Sequence, residues 1–118
     1  MNRADPELEK SLMEYQNLER QLQTIVLQKH QLQLQVNEIN LAQDELKRVK
    51  SDIYKSVGSV MLKTTREDAE KDLKEKKDLA DIRVNTLGKQ EEKLRGHMQI
   101  IQKKLEDKMK GLRANDSA

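Results

Sequence analysis

Between residues 7 and 50, apolar side chains return at heptad spacing in a stretch with no helix breaker. Neither Gly nor Pro occurs after Pro6 until Gly58. One series is Leu8, Tyr15, Leu22, Lys29, Val36 and Gln43, and the other is Ser11, Leu18, Ile25, Leu32, Ile39 and Leu46. Nine of these twelve are apolar, sustained over six heptads. Such persistence marks a coiled-coil seam. Residues 66–112 repeat the pattern with Leu73, Ala80, Leu87, Leu94, Ile101 and Lys108 in one series, and Lys77, Val84, Glu91, Met98, Leu105 and Leu112 in the other. Again nine of twelve are apolar.

The ends of these segments carry helix punctuation. Asp5 offers a capping acceptor, Pro6 tolerates the first helical position, and Glu7 places an anion at the positive end of the dipole. Lys103, Lys104, Lys108 and Lys110 suit the negative end of the second helix, and Gly111 can close it. Each helix would span roughly 65 Å at 1.5 Å per residue. Neither can bury its stripe alone. The economical solution is an antiparallel helical-hairpin coiled coil, in which facing residue numbers sum to about 117. One domain over 1–118 is expected, with helix one at 7–50, a β hairpin at 51–65, helix two at 66–112 and a frayed tail at 113–118.

Composition supports rods over a globule. Aromatic residues are 2% of the chain, Tyr15 and Tyr54 alone, which excludes an aromatic-centred core. Leu, Ile and Val supply 28 of 118 residues and the net charge is only +2, which argues against disorder. There is no cysteine, hence no disulfide and no thiolate metal site. The longest apolar runs, Ile25-Val26-Leu27 and Val60-Met61-Leu62, have three residues, where a membrane span needs about 20. No apolar signal segment follows Met1-Asn2-Arg3-Ala4-Asp5. A soluble, cytoplasmic chain is expected.

The connection differs from both helices. Val, Ile, Tyr and Thr concentrate between Ser51 and Thr65 around Gly58-Ser59, which predicts two five-residue strands and a tight turn. Thr64 with Glu67 reads as a capping box for the second helix. A lone two-stranded hairpin is marginal in water, and its open edges invite pairing with other chains. An oligomer is therefore expected, with Ile53, Tyr54, Val57, Gly58, Val60, Met61 and Leu62 in the assembly hairpin.

The order long helix, short β hairpin, long helix resembles that of the prefoldins. The segment Ile53-Tyr54-Lys55-Ser56-Val57-Gly58 through Lys63-Thr64-Thr65 is similar to the archaeal-type β subunit. Gln28-Lys29, Asn37-Glu38 and Glu45-Leu46 in helix one, with Arg83, Asn85 and Gln90-Glu91 in helix two, add to the likeness. Gly88 departs from it, since such sequences tend to carry a side chain there. The resemblance implies a hetero-hexamer of two α-type and four β-type subunits whose hairpins join in intersubunit β-barrels. It also implies an ATP-independent holdase that captures unfolded polypeptides at coiled-coil tips and delivers them to a group II chaperonin.

Doubling back would bring the first and last helical turns together at the tip. Met1, Met13, Met98 and Met109 fall there, and methionine adapts to many partners. Leu12, Met13, Ile100 and Met109 lie off the seam and should be partly exposed. The candidate client-binding residues are Leu8, Leu12, Met13, Met98, Ile100, Ile101, Leu105, Met109 and Leu112. Charged neighbours Glu106, Asp107, Lys108 and Lys110 suit chaperonin docking. Leu27, Leu34 and Leu41 form an off-seam row that reads as a subunit contact or a wall touching client.

Nothing here points to catalysis. His30 and His97 are isolated, and no phosphate loop or nucleophile motif occurs. A non-enzyme without catalytic, cofactor or metal sites is expected. The competing classes are a passive coiled-coil scaffold and a helical-hairpin RNA-binding arm. An RNA arm needs a one-sided basic stripe. Residues 66–113 hold 14 Lys and Arg against 11 Asp and Glu, with acids from Glu67 to Asp81 mixed among the lysines. No nucleic-acid or membrane partner is expected.

Overall fold

A computed structural model describes residues 5–117 of the chain, with side chains to Arg113. Met1, expected at the tip, lies outside the described residues, as does Ala118. The order is α1 (Pro6–Arg48), β1 (Ile53–Val57), β2 (Val60–Thr64) and α2 (Arg66–Ser117). Contacts within the chain gather into two units, residues 1–28 with 87–118 and residues 29–86. Each unit contains part of both helices.

In the unit of residues 29–86, β1 and β2 pair antiparallel, from Ile53 opposite Thr64 to Val57 opposite Val60. Gly58 has φ +59° and no other described residue has a positive φ. A positive φ at the first turn position followed by an ordinary residue is the pattern of a type II′ turn, whose twist matches that of the strands. Residues with a Cβ resist this conformation, so glycine is required there. Both strands occupy the predicted five-residue spans.

The helix ends differ from expectation, each for a local reason. Thr64 is the last strand residue, and Thr65 caps α2 instead: its Oγ1 accepts from the Asp68 N–H at 3.1 Å, and its carbonyl accepts from the Ala69 N–H at 3.0 Å. Helix α1 stops at Arg48 rather than residue 50. The Arg66 guanidinium donates to the carbonyls of Leu46 and Val49, supplying partners to the terminal carbonyls that a helix leaves unmatched. It also places a cation at the negative end of the α1 dipole.

In the unit of residues 1–28 and 87–118, Leu18, Met98 and Ile101 form a buried cluster. Tyr15, Leu22, Leu94 and Leu105 pack against it. Asp5 caps α1: its Oδ1 accepts from the Glu7 N–H at 2.9 Å, and its carbonyl accepts from the Glu9 N–H at 2.9 Å. The frayed tail expected at 113–118 is helical through Ser117. Gly111 keeps a negative φ, so it does not form a left-handed cap and the helix runs on past it.

The glycines yield a stability test. A Cβ at Gly96 meets nothing within 4 Å, inside a helix. Gly96→Ala should stabilise the fold by about 1 kcal/mol. Gly58→Ala should destabilise it by about 1–2 kcal/mol because of the positive φ. Urea unfolding of both variants checks the opposite signs.

Candidate functional site

Two apolar surfaces stand out, one in each unit. On the hairpin, Tyr54, Val57, Val60, Met61 and Leu62 are all exposed, Met61 to 63%, and Ile53 is half-buried. The sheet has only two strands, so each strand has one unpaired edge within the chain. A groove of about 520 Å³ adjoins it, lined by Ala42, Leu46, Val49, Ile53, Tyr54, Ala69 and Leu73 together with several polar residues. Both lysines of the strands are matched. Lys55 Nζ lies 2.6 Å from Asp72 Oδ2, and Lys63 Nζ lies 3.6 Å from Asp52 Oδ2. The hydrogen bond from Lys55 lowers the Asp72 pKa, and Asp72 raises that of Lys55. An apolar sheet with open edges and neutralised cations can add strands from other chains.

All nine predicted client-binding residues lie in the unit holding the helix ends, but the structure divides them. Leu12, Met13, Ile100, Met109 and Leu112 are exposed, Met13 to 69%. Leu8 and Leu105 are half-buried. Met98 and Ile101 are buried, Ile101 to 3% exposure, because they fill the seam against Leu18. Those two hold the helices together and offer almost no surface to a partner.

Of the four charged residues suited to chaperonin docking, Lys108 is paired with carboxylates of α1 and its cap. Its Nζ sits 2.9 Å from Asp5 Oδ2 and 2.7 Å from Glu7 Oε2. The hydrogen bond from Lys108 holds the Asp5 carboxyl below its usual range, helped by the Glu7 N–H. Hydrogen bonds to Glu7 and then Asp5 raise the Lys108 pKa. The seam lysine thus ties the end of α2 to the cap of α1. His97 is less isolated than its sequence position implies, with Nε2 3.4 Å from Glu14 Oε1. Glu91 accepts from Arg95 Nε at 3.0 Å.

Leu27, Leu34 and Leu41 are exposed, and so are Leu79 and Ile82, each to 63%. Sequence reasoning missed the last two. They sit two residues after seam position Lys77 and two after Ala80, so heptad phase alone marks them as outward. Among the described residues no group of three His, Cys, Asp or Glu side chains could hold a metal ion. No described helix is long and apolar enough to cross a membrane.

The family model for prefoldin subunits matches residues 9–112, taking in both seams and the hairpin. The chain belongs to the prefoldin family. A prefoldin subunit beta from Archaeoglobus fulgidus is 35% identical over 109 residues, covering 91% of this chain and 94% of the relative. One from Sulfolobus acidocaldarius is 36% identical over 107 residues, covering 89% and 86%. The crystal structure of the prefoldin beta subunit from Thermococcus strain KS-1 matches with a TM-score of 0.83 and 31% identity, over 91% of this chain and 96% of that one. The long helices and the small antiparallel hairpin are therefore the prefoldin β-type fold, and the family is one of chaperone subunits.

The Lys108 cluster has a pH signature. Asp5 has a lowered folded pKa, so its contribution is present above the ordinary carboxylate range and fades as pH falls through the lowered value. Lys108 has a raised folded pKa, so its contribution is present below the ordinary lysine range and fades as pH rises through the raised value. Amide protection in residues 5–12 and 105–112 should be greatest between those limits and weaken at both extremes. Lys108→Met should flatten this dependence in hydrogen-exchange measurements.

Proposed function

We propose that this chain is the β-type subunit of an ATP-independent holdase that works in the cytoplasm. Four copies join two α-type subunits through their hairpins, which build shared β-barrels. The exposed apolar strands and their unpaired edges support that assembly. Unfolded clients are captured by Leu12, Met13, Ile100, Met109 and Leu112, with half-buried Leu8 and Leu105 beside them. Met98 and Ile101 serve by keeping the seam closed. Glu106, Asp107 and Lys110 remain exposed for docking to a group II chaperonin, while Lys108 keeps the two helix ends together.

The observation that carries the reading is the exposure of Leu12, Met13, Ile100, Met109 and Leu112, all in the unit that holds both helix ends. A coiled-coil scaffold needs no such set. Isolated apolar side chains bind weakly, and several arms acting on one chain would gain by effective concentration.

Truncation would remove Met98 and Ile101 and with them the seam, so substitution is the sharper test. The chain, assembled with an α-type subunit, should suppress light scattering from a denatured client without ATP. Replacing Leu12, Met13, Ile100, Met109 and Leu112 by Ser should abolish most of that protection while native mass stays hexameric. Undiminished protection would remove the capture site, and a native mass below a hexamer for the unsubstituted complex would remove the assembly.

A further inference from the structure

The acids that break up the basic character of α2 lie mainly between Glu67 and Asp81, in the unit of residues 29–86. Further along the helix the distribution changes. Between residues 89 and 110 there are seven Lys and Arg against four Asp and Glu. Helical phase then sorts them. At 3.6 residues per turn, Lys89, Lys93, Lys103 and Lys104 fall within a sector of about 100°. Ile100 sits at the middle of that sector, 58% exposed. Asp107 is its one acid, and Lys110 and Glu92 share its edge.

All four lysines are exposed. Among the described residues none of them has a hydrogen bond or ion pair. The lysines at 55, 63 and 108 contrast with them, since each of those is matched by a carboxylate of this chain. From Lys89 to Lys104 the face runs roughly 22 Å at 1.5 Å per residue. An extended polypeptide of about seven residues covers that length.

We propose that this face of α2, Lys89, Lys93, Lys103 and Lys104 around Ile100, selects acidic segments of unfolded polypeptides. The proposal rests on the holdase reading and names the client chemistry that reading leaves open. Unmatched cations complement carboxylates, and the exposed isoleucine among them takes an apolar side chain of the same segment. Attraction between exposed charges speeds encounter and steers partners, and salt screens it. A single-stranded nucleic acid is the less fitting occupant. Sequence-tolerant binding of bases uses aromatic platforms, and the aromatic residue of this unit, Tyr15, is packed against the core.

The test uses the chain assembled with an α-type subunit, and three fluorescent probes of equal length. Two are unfolded peptides with identical apolar residues, one with interspersed Glu and one with interspersed Lys. The third is a single-stranded RNA. The acidic peptide should bind about tenfold more tightly than the basic one, as several modest exposed ion pairs combine. That advantage should vanish at high salt. It should also vanish in the variant Lys89→Gln, Lys93→Gln, Lys103→Gln, Lys104→Gln, whose helical content is checked by circular dichroism, while the basic peptide binds as before. If the variant fails to fold, the salt dependence and charge ranking of the unsubstituted chain decide alone. Equal binding of the two peptides overturns the proposal and leaves the holdase reading standing. So does an acidic-peptide affinity that ignores salt. RNA binding more tightly than the acidic peptide overturns the proposal in favour of a nucleic-acid arm. Binding of neither peptide brings down the holdase reading and this proposal together.

Discussion

An apolar stripe that only another helix can cover is the constraint on which the structure depends. The buried hydrophobic residues among those described are Leu18, Leu46, Ala80, Met98 and Ile101, and no polar residue is buried. Full burial of a Leu, Ile or Met side chain contributes about 1.5–3 kcal/mol, so so thin a core leaves little margin. Most of the seam is half-covered on each helix, and its contribution requires the chain to reverse. Reversal is fixed by backbone chemistry at two places. Gly58 adopts a conformation costly to other residues, and Arg66 holds the final carbonyls of α1. A long stripe thus dictates the partner, while a few local groups dictate where the chain turns back.

Legibility in the sequence followed the range of the interactions. The strands at Ile53–Val57 and Val60–Thr64 were readable because Gly58-Ser59 specifies the turn and the β-branched residues flank it. The Asp5 cap was readable for the same reason. Misplacements arose where two local signals competed. Thr64 and Thr65 are equally good caps by residue type, and strand pairing decides between them by consuming Thr64. Gly111 looks like a helix end by residue type, yet it keeps a negative φ and the helix continues past it. Long-range facts were less accessible. Heptad phase puts Met98 and Ile101 on the seam, while their apolar character near the helix ends also marks them as candidates for client binding, and only the packing against Leu18 shows how little of them is exposed. Lys108 finding Asp5 and Glu7 across more than a hundred residues follows from antiparallel packing and from no local pattern.

The two apolar surfaces differ in how they treat charge, and that difference bears on permanence. On the hairpin, Lys55 and Lys63 are matched by Asp72 and Asp52 of the same chain, so the strands present apolar side chains with little unmatched charge. Obligate interfaces have that character, resembling a core divided between subunits. Bringing such a surface against another copy removes apolar area from water without stranding an ion, which suits a hub that stays assembled.

Near the helix ends the exposed apolar residues stand beside Lys103 and Lys104, which have no carboxylate partner among the described residues. Closing that surface permanently would require desolvating unpaired ammonium groups, a cost that outweighs a handful of exposed side chains. Unmatched cations of one sign also repel a second copy of the same face, which keeps these residues available in a protein carrying many exposed leucines and methionines. What can occupy the surface is a partner that brings its own carboxylates and leaves its backbone hydrated, and such a partner departs readily when a competing surface appears. If the proposed assembly and capture sites hold, the same chain would separate a lasting contact from a transient one by whether its lysines are already paired.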